Sequence, residues 1–196
     1  MPRISESERA ATRVRLIEAA KREFADRGLA GARFDEISLA AGHAKGTIYN
    51  YFDSKEALFL AVVGEWTALL VESALLVDAP DCRSALREIV SLDVEAARRD
   101  PDLARVVVQH LPALAGSSRS AAFDALASGL DLLASVFEAG LDTGEFASRY
   151  PPETLARLFL DMASTLELEA LMDDQIIDLD EVVELLDTHF LSGLAA

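Results

Sequence analysis

Gly42-His43-Ala44-Lys45-Gly46-Thr47-Ile48-Tyr49-Asn50-Tyr51-Phe52-Asp53-Ser54-Lys55 is the stretch on which the reading of this chain turns. It is bounded by turn signals and is denser in aromatic, amide and cationic side chains than the rest of the sequence. Glycine tolerates the left-handed backbone required just past a helix, so Gly42 can end the apolar segment before it. From Lys45 to Phe52 there is room for about two helical turns. That spacing turns Ile48 and Phe52 inward on one face and leaves Lys45, Thr47, Asn50 and Tyr51 outward or sideways. A short helix carrying a cation, phenols, an amide and a hydroxyl is equipped to touch a polyanion with readable edges, as a DNA recognition helix does. Taken alone, the segment fits a surface helix with half-buried Tyr49 and Tyr51 equally well.

The segment upstream shifts the balance. Phe34-Asp35-Glu36-Ile37-Ser38-Leu39-Ala40-Ala41 is an apolar-periodic run of two turns that stops at Gly42. Two short helices joined at a glycine turn are the sequence form of a helix-turn-helix, whose second helix enters the major groove.

Net charge is −16, which at first sight opposes DNA binding, but the charge is unevenly placed. Residues 1–55 hold ten Lys/Arg against eight Asp/Glu, and residues 56–196 hold eight against 26. Such asymmetry points to a nucleic-acid module (1–55) joined to a different unit (56–196), whose acidity repels phosphate and turns the N-terminal end toward DNA. Solubility alone accounts for many acidic helical domains. Apolar residues make up 51% and charged residues 27%, as in ordinary globular proteins, which argues against wholesale disorder. The longest uncharged run, 106–118, contains Pro112 and Gly116 and is too short and polar to span a bilayer. Met1 to Ala10 has no apolar core, so no secretory leader is expected. The single cysteine, Cys82, excludes an internal disulfide and suits a reducing cytoplasm.

Working outward, Ser5 and Glu8 have capping-box spacing, and Val14, Ile17, Ala20 and Phe24 mark the buried face of a first helix that Gly28 closes. Arg3, Arg9 and Arg13 near its start are either phosphate contacts or plain solvated arginines. Asp53 and Glu56 repeat the capping-box spacing before a long helix, Ser54 to Val77, that starts beside the recognition element and reaches the acidic part. Further helices follow over Cys82–Arg99, Leu103–Leu111, Phe123 to Gly140, from Pro151-Pro152, and from about Asp180, with a loop over 115–120. Period-two alternation persists nowhere. The expected class is all-α, about nine helices, in an N-terminal helix-turn-helix domain and a C-terminal helical domain. Apolar residues occupy more than one face of the last two helices, so those helices are expected to be covered on two sides. A symmetric partner is the natural second cover.

Residues 9–60 resemble the N-terminal domain of the TetR (tetracycline repressor) family of bacterial transcriptional regulators. The resemblance rests on Arg15 to Ala20, Phe24-Ala25-Asp26-Arg27-Gly28, Ile37, Ala41-Gly42, Lys45 to Tyr49, and Phe52 to Leu58. It implies a homodimer that reads a palindromic operator in double-stranded DNA with two recognition helices, each backed by a regulatory domain that a small effector controls. The candidate DNA-contacting residues are Arg33, His43, Ala44, Lys45, Gly46, Thr47, Tyr49, Asn50, Tyr51 and Lys55. By the likeness, Lys45, Tyr49, Tyr51 and Lys55 fall at phosphates, and Thr47 and Asn50 near base edges. Ala32-Arg33 departs from the family's threonine-rich helix start, with Arg33 as a charged substitute. At His43-Ala44 backbone amides are left to bind phosphate. Ser38 replaces a usual alanine. The last two helices correspond to the family's dimerising bundle, with Leu155, Phe159, Leu168, Val183, Leu186 and Phe190 as candidate interface residues.

A regulatory pocket in such a domain forms between helices. The candidates on inward stripes are Trp66, Leu70, Val107, His110 and Leu111, together with Phe123, Leu126, Leu130, Met162 and Leu166; plain core packing is the competing account of each. The abundance of carboxylates suits a cationic or neutral ligand better than an anionic one. An effector contact near Trp66 is expected to tilt the long helix and alter the roughly 34–36 Å separation that successive major grooves demand. Enzymatic function is the rival of another class. His43, His110 and His189 have no metal-ligand spacing, and there is neither a phosphate-binding glycine loop nor a G-x-S-x-G, so no metal, cofactor or catalytic residue is expected. A third reading keeps the fold and replaces the effector by a protein partner or by oxidation of Cys82.

Overall fold

The structure is a computed structural model, and it describes residues 5–110, 119–172 and 176–195, except for the side chains of 119–123. Among these residues the chain forms eight α-helices and two 3-10 turns, and β structure is limited to an isolated bridge between Phe146 and Ala195. The fold is all-α, with a helix-turn-helix head and a helical body.

The head is built from α1 (Glu6–Gly31), α2 (Phe34–Ala40), the 3-10 turn Thr47–Asn50 and the first half of α3 (Lys55–Ala74). Ser5 caps α1: its hydroxyl accepts from the Glu8 amide at 3.2 Å, and the Glu8 carboxylate accepts from the Ser5 amide at 2.8 Å. Leu16, Ile17, Ala20 and Phe24 form the buried face. Val14, expected there, is 51% exposed, because Leu16 takes its place on the stripe. Regular winding is interrupted at Gly28, where φ is 65°.

The turn between α2 and the 3-10 turn sets the geometry of the head. Gly42 has φ 80°, a conformation that side chains with a Cβ avoid. Ser38, fully buried on α2, then holds the next segment twice. Its carbonyl accepts from the His43 amide at 2.9 Å, and its hydroxyl accepts from the Ile48 amide at 3.1 Å. An α-helix over 45–52 would direct the Ile48 amide to the Ala44 carbonyl. With that donor taken by Ser38, the Ala44 carbonyl accepts from Thr47 instead, at 2.9 Å, and the winding tightens. The expected two-turn helix is therefore a single 3-10 turn. Ile48 and Phe52 nonetheless point inward, 0% and 5% exposed.

Ser54, not Asp53, caps α3, accepting from the Ala57 amide at 3.1 Å. At 20 residues, α3 is about 30 Å long, shorter than expected because it ends at Ala74. By length and composition it could cross a membrane. Here Leu58, Phe59, Val62 and Val63 are instead buried in the head's own core.

The body comprises α4 (Cys82–Arg99), α5 (Pro101–His110), α6 (Arg119–Thr143), α7 (Pro152–Leu171) and α8 (Leu179–His189). Its core holds an aromatic cluster of Phe137, Phe146, Phe159 and Phe190, with ring centroids 5.5–6.2 Å apart. Arg83 and Arg87 of α4 converge on Asp187 of α8, with nitrogen–oxygen distances of 2.6–2.9 Å. Leu103, Val106 and Val107 of α5 belong to the head's core, so that core extends past the division expected at residue 55. The loop expected over 115–120 lies outside the described residues up to 118, and α6 starts at Arg119.

Gly140 was expected to end α6 but is buried inside it; Gly144, with φ 76°, lies just past the helix end. The Phe146 ring packs on the bare Cα of Gly140, where an added Cβ would stand 2.2 Å from Phe146 Cδ2. Gly140→Ala should therefore destabilise the body by about 1–3 kcal/mol, read as a lowered midpoint in thermal unfolding. Ser38→Ala leaves the buried Ile48 amide without its acceptor, at a cost of about 1–3 kcal/mol. In denaturant titration it should show an unchanged slope with a lower midpoint.

Candidate DNA-binding face and ligand cavity

The 42–55 stretch presents a compact polar face. Ala44, Lys45, Gly46 and Asn50 are exposed, Tyr49 is 60% exposed, and Thr47 is half-buried. The Tyr49 ring leans on Phe34, with centroids 5.2 Å apart, so α2 steers the phenol outward. Arg33 is exposed at the start of α2. Its side chain makes no cap, its amide is satisfied by Glu23 at 3.1 Å, and its guanidinium lies 3.7 Å from Glu36.

Three candidates have other roles in this arrangement. Lys55 is half-buried and its ammonium donates to the Ala30 and Ala32 carbonyls at 2.8 and 3.1 Å, so it closes the end of α1 instead of pointing outward. His43 is half-buried with Nε2 turned inward and unpartnered among the described residues. Tyr51 packs against the head's core, with the Arg9 guanidinium 5.5 Å above its ring. Arg9 also donates to the Asn50 carbonyl at 3.3 Å, and the Arg13 guanidinium lies 5.3 Å from the Phe52 ring centre. These two arginines of α1 thus border the 3-10 turn, a proximity that spacing along α1 could not disclose. Arg3 lies outside the described residues.

Between α3, α4, α5, α6 and α7 the body holds a partly open cavity of about 470 Å³, within the usual range of small-molecule sites. Trp66, Leu70, Val107 and Leu126 line it. His110 does not: its ring packs edge-on against Phe59, with centroids 6.4 Å apart. Leu130 lines a separate surface hollow beside Asp131 and Glu153. Met162 and Leu166 pack half-buried against the body's core, away from the cavity. Leu111 and the Phe123 side chain lie outside the described residues.

The face of α7 expected at a dimer interface is instead turned into the chain. Leu155, Phe159 and Leu186 are at most 2% exposed in a single chain, and Phe159 and Leu168 line the cavity. Val183 and Phe190 are half-buried against the body's core. The outward edge of α7 carries Leu158, 48% exposed, flanked by Met162 and Leu166, which are half-buried against the core and half open. Because α7 is apolar on both sides, periodicity could not choose which side turns inward.

The polar groups in the cavity were missed by sequence reasoning. Trp66 Nε1 donates to Asp93 Oδ1 at 3.2 Å, and Glu167 is 3% exposed with Oε1 unpartnered among the described residues. One signal was present: Glu167 lies four residues after Ala163 and three before Ala170, on a stripe of buried small residues.

Residues 16–62 match the family model described as bacterial regulatory proteins, tetR family. The transcriptional repressor NicS of Pseudomonas putida is 34% identical over 98 residues, covering 49% of this chain and 46% of that protein. The chain spans about half the length of the curated relatives it matches. Two solved structures extend the likeness over nearly the whole chain. The fatty acid degradation regulator FadR from Bacillus halodurans is 25% identical, with a TM-score of 0.78 over 92% of this chain and 98% of that one. FadR from Thermus thermophilus, a TetR-family repressor in complex with lauroyl-CoA, is 27% identical, with a TM-score of 0.76 over 94% and 95%. With the helix-turn-helix head, the all-helical body and these matches in agreement, residues 16–62 form a DNA-binding head similar to that of bacterial regulatory proteins of the tetR family, and the chain shares the fold of the two solved regulators.

Proposed function

We propose that this protein is a transcriptional repressor that binds a palindromic operator as a homodimer and is released by a small effector with a largely apolar body. The observation that carries the reading is the course of α3. Its first residue, Lys55, follows the 3-10 turn and is bonded to the Ala30 and Ala32 carbonyls at the end of α1. Its later residues Trp66, Leu70, Val71 and Ala74 wall the cavity. An occupant of the cavity therefore bears on the helix that carries the DNA-binding face. It shifts operator affinity to the extent that it prefers one placement of α3 over another.

Lys45, Tyr49 and Asn50 are the groups assigned to DNA, with Arg33 and Arg9 at the margins. Exposed Lys45 suits a phosphate, and the Asn50 amide is suited to bidentate pairing with adenine in the major groove. The lauroyl-CoA bound by the Thermus thermophilus relative supports an occupant with an apolar body. Redox control at Cys82 is less favoured: burial and the neighbouring Glu145 carboxylate push its thiol upward, away from the reactive thiolate. For the dimer, the outward face of α7 with Leu158, Met162 and Leu166 is the candidate surface.

Fluorescence anisotropy against DNA flanking the protein's own gene, over a salt series, tests the proposal. A salt-dependent affinity is expected, and Lys45→Ala should flatten the log–log salt slope by about two per dimer, one for each subunit. Lys55→Ala should keep that slope and lower the thermal midpoint, because its ammonium serves α1. Lack of salt-sensitive affinity for every flanking duplex overturns the reading. Sedimentation tests the interface: Leu158→Glu should yield folded monomers, and a wild-type chain that already sediments as a monomer rejects the dimer.

A further inference from the structure

The cavity has one polar end. Asp93 of α4 and Glu167 of α7 meet there beside the Trp66 indole, while Val63, Leu70, Ala97, Val107 and Leu133 supply apolar wall. Arg157 and Asp161, also at the lining, are paired with each other at 2.9 Å. The groups that act on Asp93 and Glu167, among the described residues, are each other and the indole. No cation is among them. Glu167 lines the cavity and is almost wholly buried, and its Oε1 has no donor among the described residues.

Burial and the Asp93 charge, aided by a hydrogen bond between the two carboxyls, push Glu167 well above the usual carboxylate range. Burial also raises Asp93, against the opposing hydrogen bonds from Trp66 and Glu167. The two carboxyls titrate as one pair, and a cation between them favours its ionised form. A carboxylate in an apolar chamber without a counter-ion is costly, and so is a buried acceptor without a donor. Solid core packing leaves both costs standing. A ligand bearing a positive charge relieves them.

We infer that the cavity selects an amphiphilic organic cation, whose nitrogen sits between Asp93 and Glu167 against the face of Trp66 and whose apolar body fills the remaining chamber. This rests on the reading of the cavity as the effector site and names the chemistry of its occupant. An acyl thioester would place its apolar chain equally well and leave the carboxylate unmatched. Three contributions favour the cation: the negative charge that the Asp93–Glu167 pair takes up beside it, the acceptor capacity of that pair, and the indole π-face.

Trp66 is the only tryptophan, so intrinsic fluorescence reports directly on the cavity. The full-length protein, without DNA, is titrated with four probes of matched chain length: decylammonium, 1-decanol, decanoate and decanoyl-CoA. The cation should bind at least about tenfold tighter than the alcohol. Asp93→Asn should remove that preference, with the far-UV circular dichroism and thermal midpoint of the variant as the control for folding. If decanol, decanoate or decanoyl-CoA binds as tightly as the cation, or if Asp93→Asn leaves the preference intact, the inference is overturned. Because no DNA is present, failure here leaves operator binding as a separate result, and failure to bind DNA leaves the charge preference standing.

Discussion

Two carbonyls at the end of α1 converge on one ammonium: Lys55 Nζ lies 2.8 Å from the Ala30 oxygen and 3.1 Å from the Ala32 oxygen. Carbonyls at a helix end lack intrahelical donors and attract cations. Lys55 is also the first residue of α3, so the bond fastens the start of that helix to the end of α1. The apolar core then continues the attachment, with Phe59 edge-on to Phe24 and Val62 and Val63 buried beneath. The head is thus rigidly held to the first half of α3. A displacement of α3 carries the head with it.

The second half of α3 lies in a different environment. Trp66, Thr67, Leu70, Val71 and Ala74 face the cavity, and the indole is held by Asp93 of α4. A helix bonded into one core at its start and bordering a chamber further along is the kind of element whose position both sites can bias. The charge layout agrees with this division of labour. The near-neutral head presents Lys45 and Arg33, while the acidic body uses Arg83, Arg87 and Arg98 to tie α4 to α8 through Asp187, Glu184 and Asp180. Those three arginines stitch helices together, whereas Arg9, Arg13 and Arg33 of the head border the face assigned to DNA.

Ser38 shows how one polar atom decides local form. A buried hydroxyl on α2 takes the Ile48 amide and so replaces an α-helical bond with 3-10 winding, which turns Tyr49 and Asn50 outward within four residues. The sequence marked Ser38 as a departure from the family pattern, but a lone serine in an apolar run does not announce its partner. Lys55 is similar. Its place in the motif implied a phosphate contact, and only the end of α1, folded back beside it, reveals what the ammonium meets.

Local signals were enough to establish the all-helical class, the helix-turn-helix, the capping box at Ser5 and the span of α4, because propensity, capping and 3.6-residue periodicity act over a few residues. They also placed Trp66, Leu70, Val107 and Leu126 on inward stripes. The orientation of α7 was beyond their reach. With apolar residues on two faces, periodicity is satisfied by either, and the contacts with α6 and α8 put Phe159 and Leu168 inside and Leu158 outside. The pairing of Asp93 with Glu167 likewise joins residues 74 positions apart on different helices. Such a meeting depends on how helices pack in space, and that is decided only when the whole core closes.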